Sequence, residues 1–250
     1  MAFLFKFVLF VIELGGRIQS QIIQNVVASL ILRSTQYCIW GAKMFKELIE
    51  ELFFRYKDRA VKSRPLIVAI DGLGGAGKTT LVKNIENELK NKCTVSVIHI
   101  DDHIVESNKR YNTGSDEWYE YYYLQWDIEI IRDDLLRKIH NNYTELNLPF
   151  YDKFYDRTAL KNITIASDSI VLIEGVFLLR EEWGTFYDYT IFVDCPREIR
   201  YERVLNRDSY IGDYRARLSK YKKRYWPGEE YYLKTENPIK KADKIFYVTL

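Results

Sequence analysis

The chain is poor in the residues that break or cross-link a fold. Its 250 residues include 5 prolines, 12 glycines and 3 cysteines. So few breakers leave little room for long disordered linkers. Cys38, Cys93 and Cys195 are odd in number and widely separated. That excludes a disulfide framework and a thiolate metal cluster, and it reads as free thiols in a reducing, cytoplasmic compartment. His99, His103 and His140 have no zinc-type spacing. Charge of one sign is also missing: a net charge of +2 gives no electrostatic case for nucleic acid as a partner. Long apolar runs are absent. Phe3 to Leu14 is interrupted by Lys6 and ends at Glu13, short of the roughly 18 apolar residues that a membrane span needs. A basic start and a clear small-residue cleavage site, the marks of a signal peptide, are missing as well.

What is present suits a globular protein. The chain is 47% hydrophobic and 29% charged, enough for one large domain with an appendage. The appendage is N-terminal. Ile22, Ile23, Val26, Val27, Leu30 and Ile31 recur at helical spacing opposite Gln21, Gln24 and Asn25. Such an amphipathic helix packs on a neighbour or lies on a membrane surface; packing is the favoured reading. A further helix is expected from Met44, with Phe45, Leu48, Ile49, Leu52 and Phe53 inward and Glu47, Glu50 and Glu51 outward. Met1 and Met44 are the only methionines, so Met44 is a candidate natural start, with residues 1–43 an upstream extension. The expected division is a helical extension over 1–62 and a nucleotide-binding domain over 63–250.

From Pro65 onward, short apolar runs alternate with helical patterns. Expected strands are Leu66 to Ile70, Val95 to Ile100, Ser169 to Ile173, Thr190 to Val193 and Lys244 to Val248, with a short edge strand at Ile163 to Ile165. Expected helices cover 116–126, Ile128 to Ile139 and a stretch opened by Pro196. This alternation predicts an α/β fold with a parallel sheet covered by helices on both faces.

The chemistry concentrates after the first strand. Gly72-Leu73-Gly74-Gly75-Ala76-Gly77-Lys78-Thr79 fits G-x-x-x-x-G-K-[ST] without mismatch, and Thr80 follows. Its glycines let backbone N–H groups turn inward toward an anion. Lys78 supplies a mobile cation to the outer phosphates of a triphosphate, and Thr79 offers a hydroxyl to Mg²⁺. Leu81, Ile85 and Leu89 continue a helix whose N-terminus faces those phosphates. Strand-terminal acids are the next candidates, because ligands bind beyond the carboxyl ends of parallel strands. Asp101 and Asp102 end the second strand, and Glu174 ends another. An aspartate at the end of the second strand suits the acceptance of a hydroxyl proton, and Glu174 a role at or beside Mg²⁺. Arg200, Arg203 and Arg207 share a helix face at spacings of three and four. Arg203 and Arg207 are expected to face transferring phosphate. Tyr119, Tyr121, Tyr122, Tyr123 and Trp126 form an aromatic cluster read mainly as core.

Together these residues resemble the uridine kinase–phosphoribulokinase–pantothenate kinase group of P-loop kinases, over roughly Pro65 to Val248. Ile100-Asp101-Asp102-His103 is similar to the family's aspartate segment, in which the first aspartate is the base. Leu124-Gln125-Trp126-Asp127 resembles the segment before the long helix. Leu148-Pro149-Phe150-Tyr151-Asp152 resembles its P-x-Y-D substrate segment, Val171 to Gly175 its Walker-B-like strand, and Arg200-x-x-Arg203 with Arg207-Asp208 its arginine helix. The family's histidine after the Y-D pair is replaced by Phe154, Tyr155, Asp156 and Arg157, and its arginine-glycine-arginine lid by Asp208 to Tyr214. The resemblance implies an ATP- and Mg²⁺-dependent kinase acting on a hydroxyl of a nucleoside or related metabolite. It also implies substrate contacts from Asp101, Tyr151, Asp152, Arg157 and Arg200. A regulatory GTPase needs an N/T-K-x-D motif, and Asn91-Lys92-Cys93-Thr94 lacks the aspartate. A P-loop ATPase, or an ATP-responsive binding protein without a small-molecule acceptor, is the alternative.

Overall fold

The structure is a computed structural model, and it describes residues 41–59 and 64–248. The expected helix over 22–31, the apolar stretch before it and Cys38 lie outside the described residues. Residues 48–248 form one compact unit. That unit begins earlier than the expected boundary at 62/63, because a helix over 41–58 (α1) buries Leu48, Ile49, Leu52 and Tyr56. The Tyr56 hydroxyl donates to Asp168 Oδ1 at 2.9 Å, and the Arg55 guanidinium lies 4.1 Å from the centre of the Tyr189 ring.

Five parallel strands make the main sheet, in the order β2-β5-β1-β6-β7. They are β1 (Leu66–Asp71), β2 (Thr94–His99), β5 (Ser169–Gly175), β6 (Tyr189–Asp194) and β7 (Lys244–Tyr247). All six residues of β1 and all seven of β5 are buried, as expected of central strands covered on both faces. The register sets the site. His99 lies beside Glu174, Ile70 beside Glu174, and Asp71 beside Phe192. The acids and the histidine therefore emerge along one edge.

Helix α2 (Lys78–Leu89) returns the chain over the sheet, burying Leu81, Val82, Ile85 and Leu89 along one face. Helix α3 (Glu117–Tyr123) and a helical run over 128–140 (α4) follow β2. The aromatic cluster is largely core, as expected: Tyr121, Tyr122 and Trp126 are buried and meet Phe177 edge-on. Helix α5 (Arg197–Arg207) follows β6, with Pro196 as its N-cap. A last helical run over 214–236 (α6) leads to β7. It contains Pro227, which lacks an N–H and crowds the preceding turn. The chain widens to a π-turn over Tyr221–Tyr225 immediately before that proline.

Residues 145–164 depart from expectation. The expected edge strand at Ile163 to Ile165 is the end of a longer one, β4 (Arg157–Thr164), paired antiparallel with β3 (Glu145–Asp152) outside the main sheet. Pro149 and the polar run Lys161-Asn162 had masked the two-residue alternation. Leu146 and Leu148 anchor this hairpin in the core. His103 Nδ1 donates to Pro149 O at 2.9 Å, and burial lowers the pKa of His103, which favours the neutral ring. Asp152 caps the turn, its Oδ1 accepting from Phe154 N at 2.9 Å and from Tyr155 N at 3.3 Å.

Gly175 joins the sheet to the segment that carries Asp101. A Cβ there would stand 2.0 Å from Ile100 Cγ2. Gly175→Ala is predicted to lower unfolding free energy by about 1–3 kcal/mol, measured by urea denaturation; unchanged stability would contradict this packing.

Candidate active site

The glycine-rich loop follows β1 at the carboxyl edge of the sheet. Gly72, Gly75 and Gly77 have φ of 152°, 79° and 98°. Side chains would also collide there: a Cβ on Gly72 would meet Val193 O at 2.8 Å, and one on Gly75 would meet Arg200 O at 2.7 Å. The loop is thus pressed between β6 and α5. Ala76 is buried, and its N–H closes a turn onto Leu73 O at 3.1 Å. Gly77 caps α2 with no side-chain hydrogen bond. The first amides of α2, Lys78 to Thr80, are therefore free of a capping side chain, the arrangement that binds anions at a helix start.

Lys78 arches back over its own loop, donating from Nζ to Gly72 O at 2.7 Å and Leu73 O at 3.2 Å. Burial lowers its pKa, and Glu174, Asp71, Asp101 and Glu229 oppose that shift. These four carboxylates favour the charged amine, the form that attracts a polyanion. Thr79 Oγ1 donates to Glu174 Oε1 at 3.0 Å, and His99 Nδ1 approaches the same oxygen at 2.7 Å. The structure thus brings Thr79 and Glu174 together. A hydroxyl and a carboxylate, completed by phosphate oxygens and water, make the hard oxygen donor set that Mg²⁺ takes.

Asp101 is the second residue of a short 3₁₀ turn, Ile100–His103, after β2. Its side chain reaches solvent, yet crowding by protein raises its pKa; Lys78 opposes the shift and Glu174 adds to it. Asp101, Lys78 and Glu174 therefore share one electrostatic environment. The three arginines divide. Arg203 reaches the loop, donating from Nη1 to Gly75 O at 3.2 Å. Arg207 is held by Asp208, Nε to Oδ1 at 2.6 Å and Nη2 to Oδ2 at 3.2 Å, a hydrogen bond that raises the arginine pKa further. The Tyr221 hydroxyl also donates to Asp208. Arg200 turns inward instead: it is buried and donates to Cys195 O, Gly74 O and Glu229 Oε2 at 3.2, 3.3 and 2.9 Å.

Of the expected substrate residues, Tyr151, Asp152 and Arg157 lie on the β3–β4 hairpin, while Asp101 and Arg200 do not. The Tyr151 hydroxyl accepts from Arg110 Nη2 at 3.1 Å and donates to Asp156 Oδ1 at 2.8 Å. Asp152 caps the turn, and the Arg157 guanidinium stacks 4.8 Å from the Tyr155 ring centre. Among the described residues no hydrogen bond joins the hairpin to the phosphate loop; the hairpin meets the turn that carries Asp101 instead, through His103 Nδ1 and Pro149 O.

Four residues of the site were not singled out in the sequence. Asp71 accepts from Gly72 N at 2.7 Å and from the Tyr232 hydroxyl. Burial raises its pKa, and the Tyr232 bond opposes the rise. It stands at a strand end, so the rule that selected Glu174 could have found it. Glu229 and Tyr232 come from α6, with no local signal. Arg110 holds Tyr151 from a four-residue helix, Ser107–Arg110.

Known proteins share this fold. A family model described as an AAA domain matches residues 68–219, more than half of the chain. A solved structure described as a possible uridine kinase from Bacillus stearothermophilus is 38% identical, with a TM-score of 0.67, covering 82% of this chain and 98% of that one. The uridine kinase of Borrelia duttonii (strain Ly) is 28% identical over 148 residues, which are 57% of this chain and 66% of the relative. The chain thus spans just under two-thirds of the length of the curated relatives it matches. D-glycerate 3-kinase from Cryptococcus neoformans var. grubii, 13% identical at a TM-score of 0.50 over 71% of this chain and 86% of its own, shares the fold. The fold and site are those of a P-loop protein. The chain belongs to the AAA-domain family, among the uridine-kinase-like P-loop kinases.

Glu174→Gln weakens an oxygen ligand while keeping its shape. It is predicted to raise the Mg²⁺ concentration needed for half-maximal turnover about tenfold or more, read from a Mg²⁺ titration. An unchanged midpoint would remove Glu174 from the metal site.

Proposed function

We propose that the chain is an ATP-dependent kinase that transfers the γ-phosphoryl group to a hydroxyl of a nucleoside or a related small metabolite, in the cytoplasm. The observation that carries the reading is a complete phosphate loop whose Thr79 hydrogen-bonds Glu174 at 3.0 Å, at the strand edge from which the Asp101 turn also leaves.

Phosphoryl transfer depends on positioning and charge neutralisation more than on covalent help. Gly72, Gly74, Gly75, Ala76 and Gly77 shape the cradle, and the amides at Lys78, Thr79 and Thr80 open the helix beneath it. Lys78 leaves the carbonyls of Gly72 and Leu73 for the β- and γ-phosphates. Arg203 and Arg207 stand at the loop's open side. Thr79 and Glu174 would hold Mg²⁺, which would supply neutralisation of phosphate charge. Asp101 accepts the proton of the acceptor hydroxyl as its oxygen bonds to phosphorus and the bond to the ADP leaving oxygen breaks. Tyr151, Asp152 and Arg157 bound the acceptor, and Arg200 acts from behind the loop.

ADP release from ATP and Mg²⁺ across nucleosides, pantothenate and sugar phosphates tests this directly. Release that depends on one acceptor class supports the kinase; release of equal rate without any acceptor identifies an ATPase instead. Asp101→Asn is predicted to retain ATP binding and lose turnover by at least about a hundredfold. Undiminished turnover would remove Asp101 as the base.

The pH profile is a second test. Asp101 must be ionised to accept a proton, and the protein crowded around it raises its pKa above the ordinary aspartate value. Turnover therefore falls as pH drops through a value higher than that of a free aspartate. Lys78 and Arg207 both lower this pKa. Arg207→Gln removes one of them, and the acid limb of kcat/KM is predicted to move to higher pH. A limb that stays in place or moves down would contradict the pairing.

A further inference from the structure

Helix α6 reaches the phosphate loop from a sequence distance of more than 150 residues, and it does so twice. Tyr232 donates to Asp71, the last residue of β1, and Leu179 N donates to the same hydroxyl at 3.1 Å. One helical turn earlier on the same face, Glu229 enters the loop itself. Its Oε1 accepts from Gly74 N at 2.6 Å, and its Oε2 from Arg200 Nη1 at 2.9 Å. Arg200 Nη1 in turn donates to Gly74 O at 3.3 Å. The backbone N–H and C=O of Gly74 are thus both engaged by one buried ion pair. The approach is close enough that a Cβ on Gly74 would stand 2.9 Å from Glu229 Oε1. Glu229 and Arg200 are only 3% and 7% exposed, which makes the pair costly to break on one side only.

We propose that Glu229 is a positioning residue of the phosphate loop. It draws the Gly74 amide outward, away from the nucleotide, and with Arg200 clamps the loop's outer wall so that the following amides face inward. A loop with many glycines has many conformations to lose on binding. A fixed outer anchor restricts it before the triphosphate arrives, and the restriction appears as affinity. Glu229 also matches the buried Arg200 charge, which leaves Lys78, Arg203 and Arg207 as the cations for phosphate. This rests on the nucleotide-binding half of the proposed function and not on the identity of the acceptor.

Residue-resolved amide exchange on the wild-type protein tests it without a substitution. The Gly74 amide is predicted to be protected before nucleotide is added and to change little with ATP and Mg²⁺, while the Gly75, Gly77 and Lys78 amides slow markedly. Slowing of Gly74 in step with them would place that amide on the phosphates and overturn the proposal. Calorimetry with ATP and Mg²⁺ gives the second readout. Glu229→Leu removes the acceptor and is predicted to raise the ATP Kd about tenfold. Glu229→Gln keeps an acceptor for Gly74 and stays within about threefold. Lower thermal stability in both variants with an unchanged ATP Kd would reduce Glu229 to a packing role and overturn it. If instead ATP binds as predicted and no acceptor supports turnover, the kinase reading fails while this one stands.

Discussion

The site depends on how the backbone amides of a glycine-rich loop are kept from satisfying one another. Amides that turn inward need carbonyls or carboxylates elsewhere to fix the chain, because a loop this permissive otherwise collapses into local hydrogen bonds. Two buried carboxylates do this from outside. Asp71 takes the Gly72 amide and Glu229 the Gly74 amide. Each carboxylate is raised in pKa by its own burial and held by a partner, Tyr232 for one and Arg200 for the other. The loop is shaped by desolvated charge whose partners lie on distant helices.

The parallel sheet turns that local shape into a site. Register places His99 and Glu174 abreast of the end of β1, so Thr79, one residue into α2, meets Glu174 without a long side chain. Close packing of Gly175 against Ile100 brings the Asp101 turn to the same edge. On the other side, Gly75 lets the backbone of α5 approach, and Arg203 reaches the loop from it. Asp208 and Tyr221 then fix Arg207 at the start of the chain leading to α6. The phosphate loop, the arginine helix and α6 form one hydrogen-bonded assembly.

Much of this was legible in the sequence because it is local. The phosphate loop, its flanking strand and helix, and the strand-end acids Asp101 and Glu174 can be read from neighbouring residues alone. The five parallel strands could be read as well, since buried strands appear as short apolar runs bounded by breakers. The β3–β4 hairpin was missed because Pro149 and its polar neighbours hide the alternation. Arg200, Arg203 and Arg207 were read as one face; the fold separates them because the inward side of α5 packs on the loop and takes Arg200 with it. Glu229 and Tyr232 left no trace: their role exists only when α6 crosses behind β1, and no spacing rule reaches that far. The expectations for residues 1–40 lie outside the described residues, whereas the helix read from Met44 is present as α1.

The account stands on the loop around Lys78 gripping a triphosphate. Calorimetric titration of the wild-type protein with ATP in Mg²⁺ measures this most directly. One saturable site per chain, emptied by competing ADP, is the predicted result. An absence of saturable binding at millimolar ATP would contradict the account at its base.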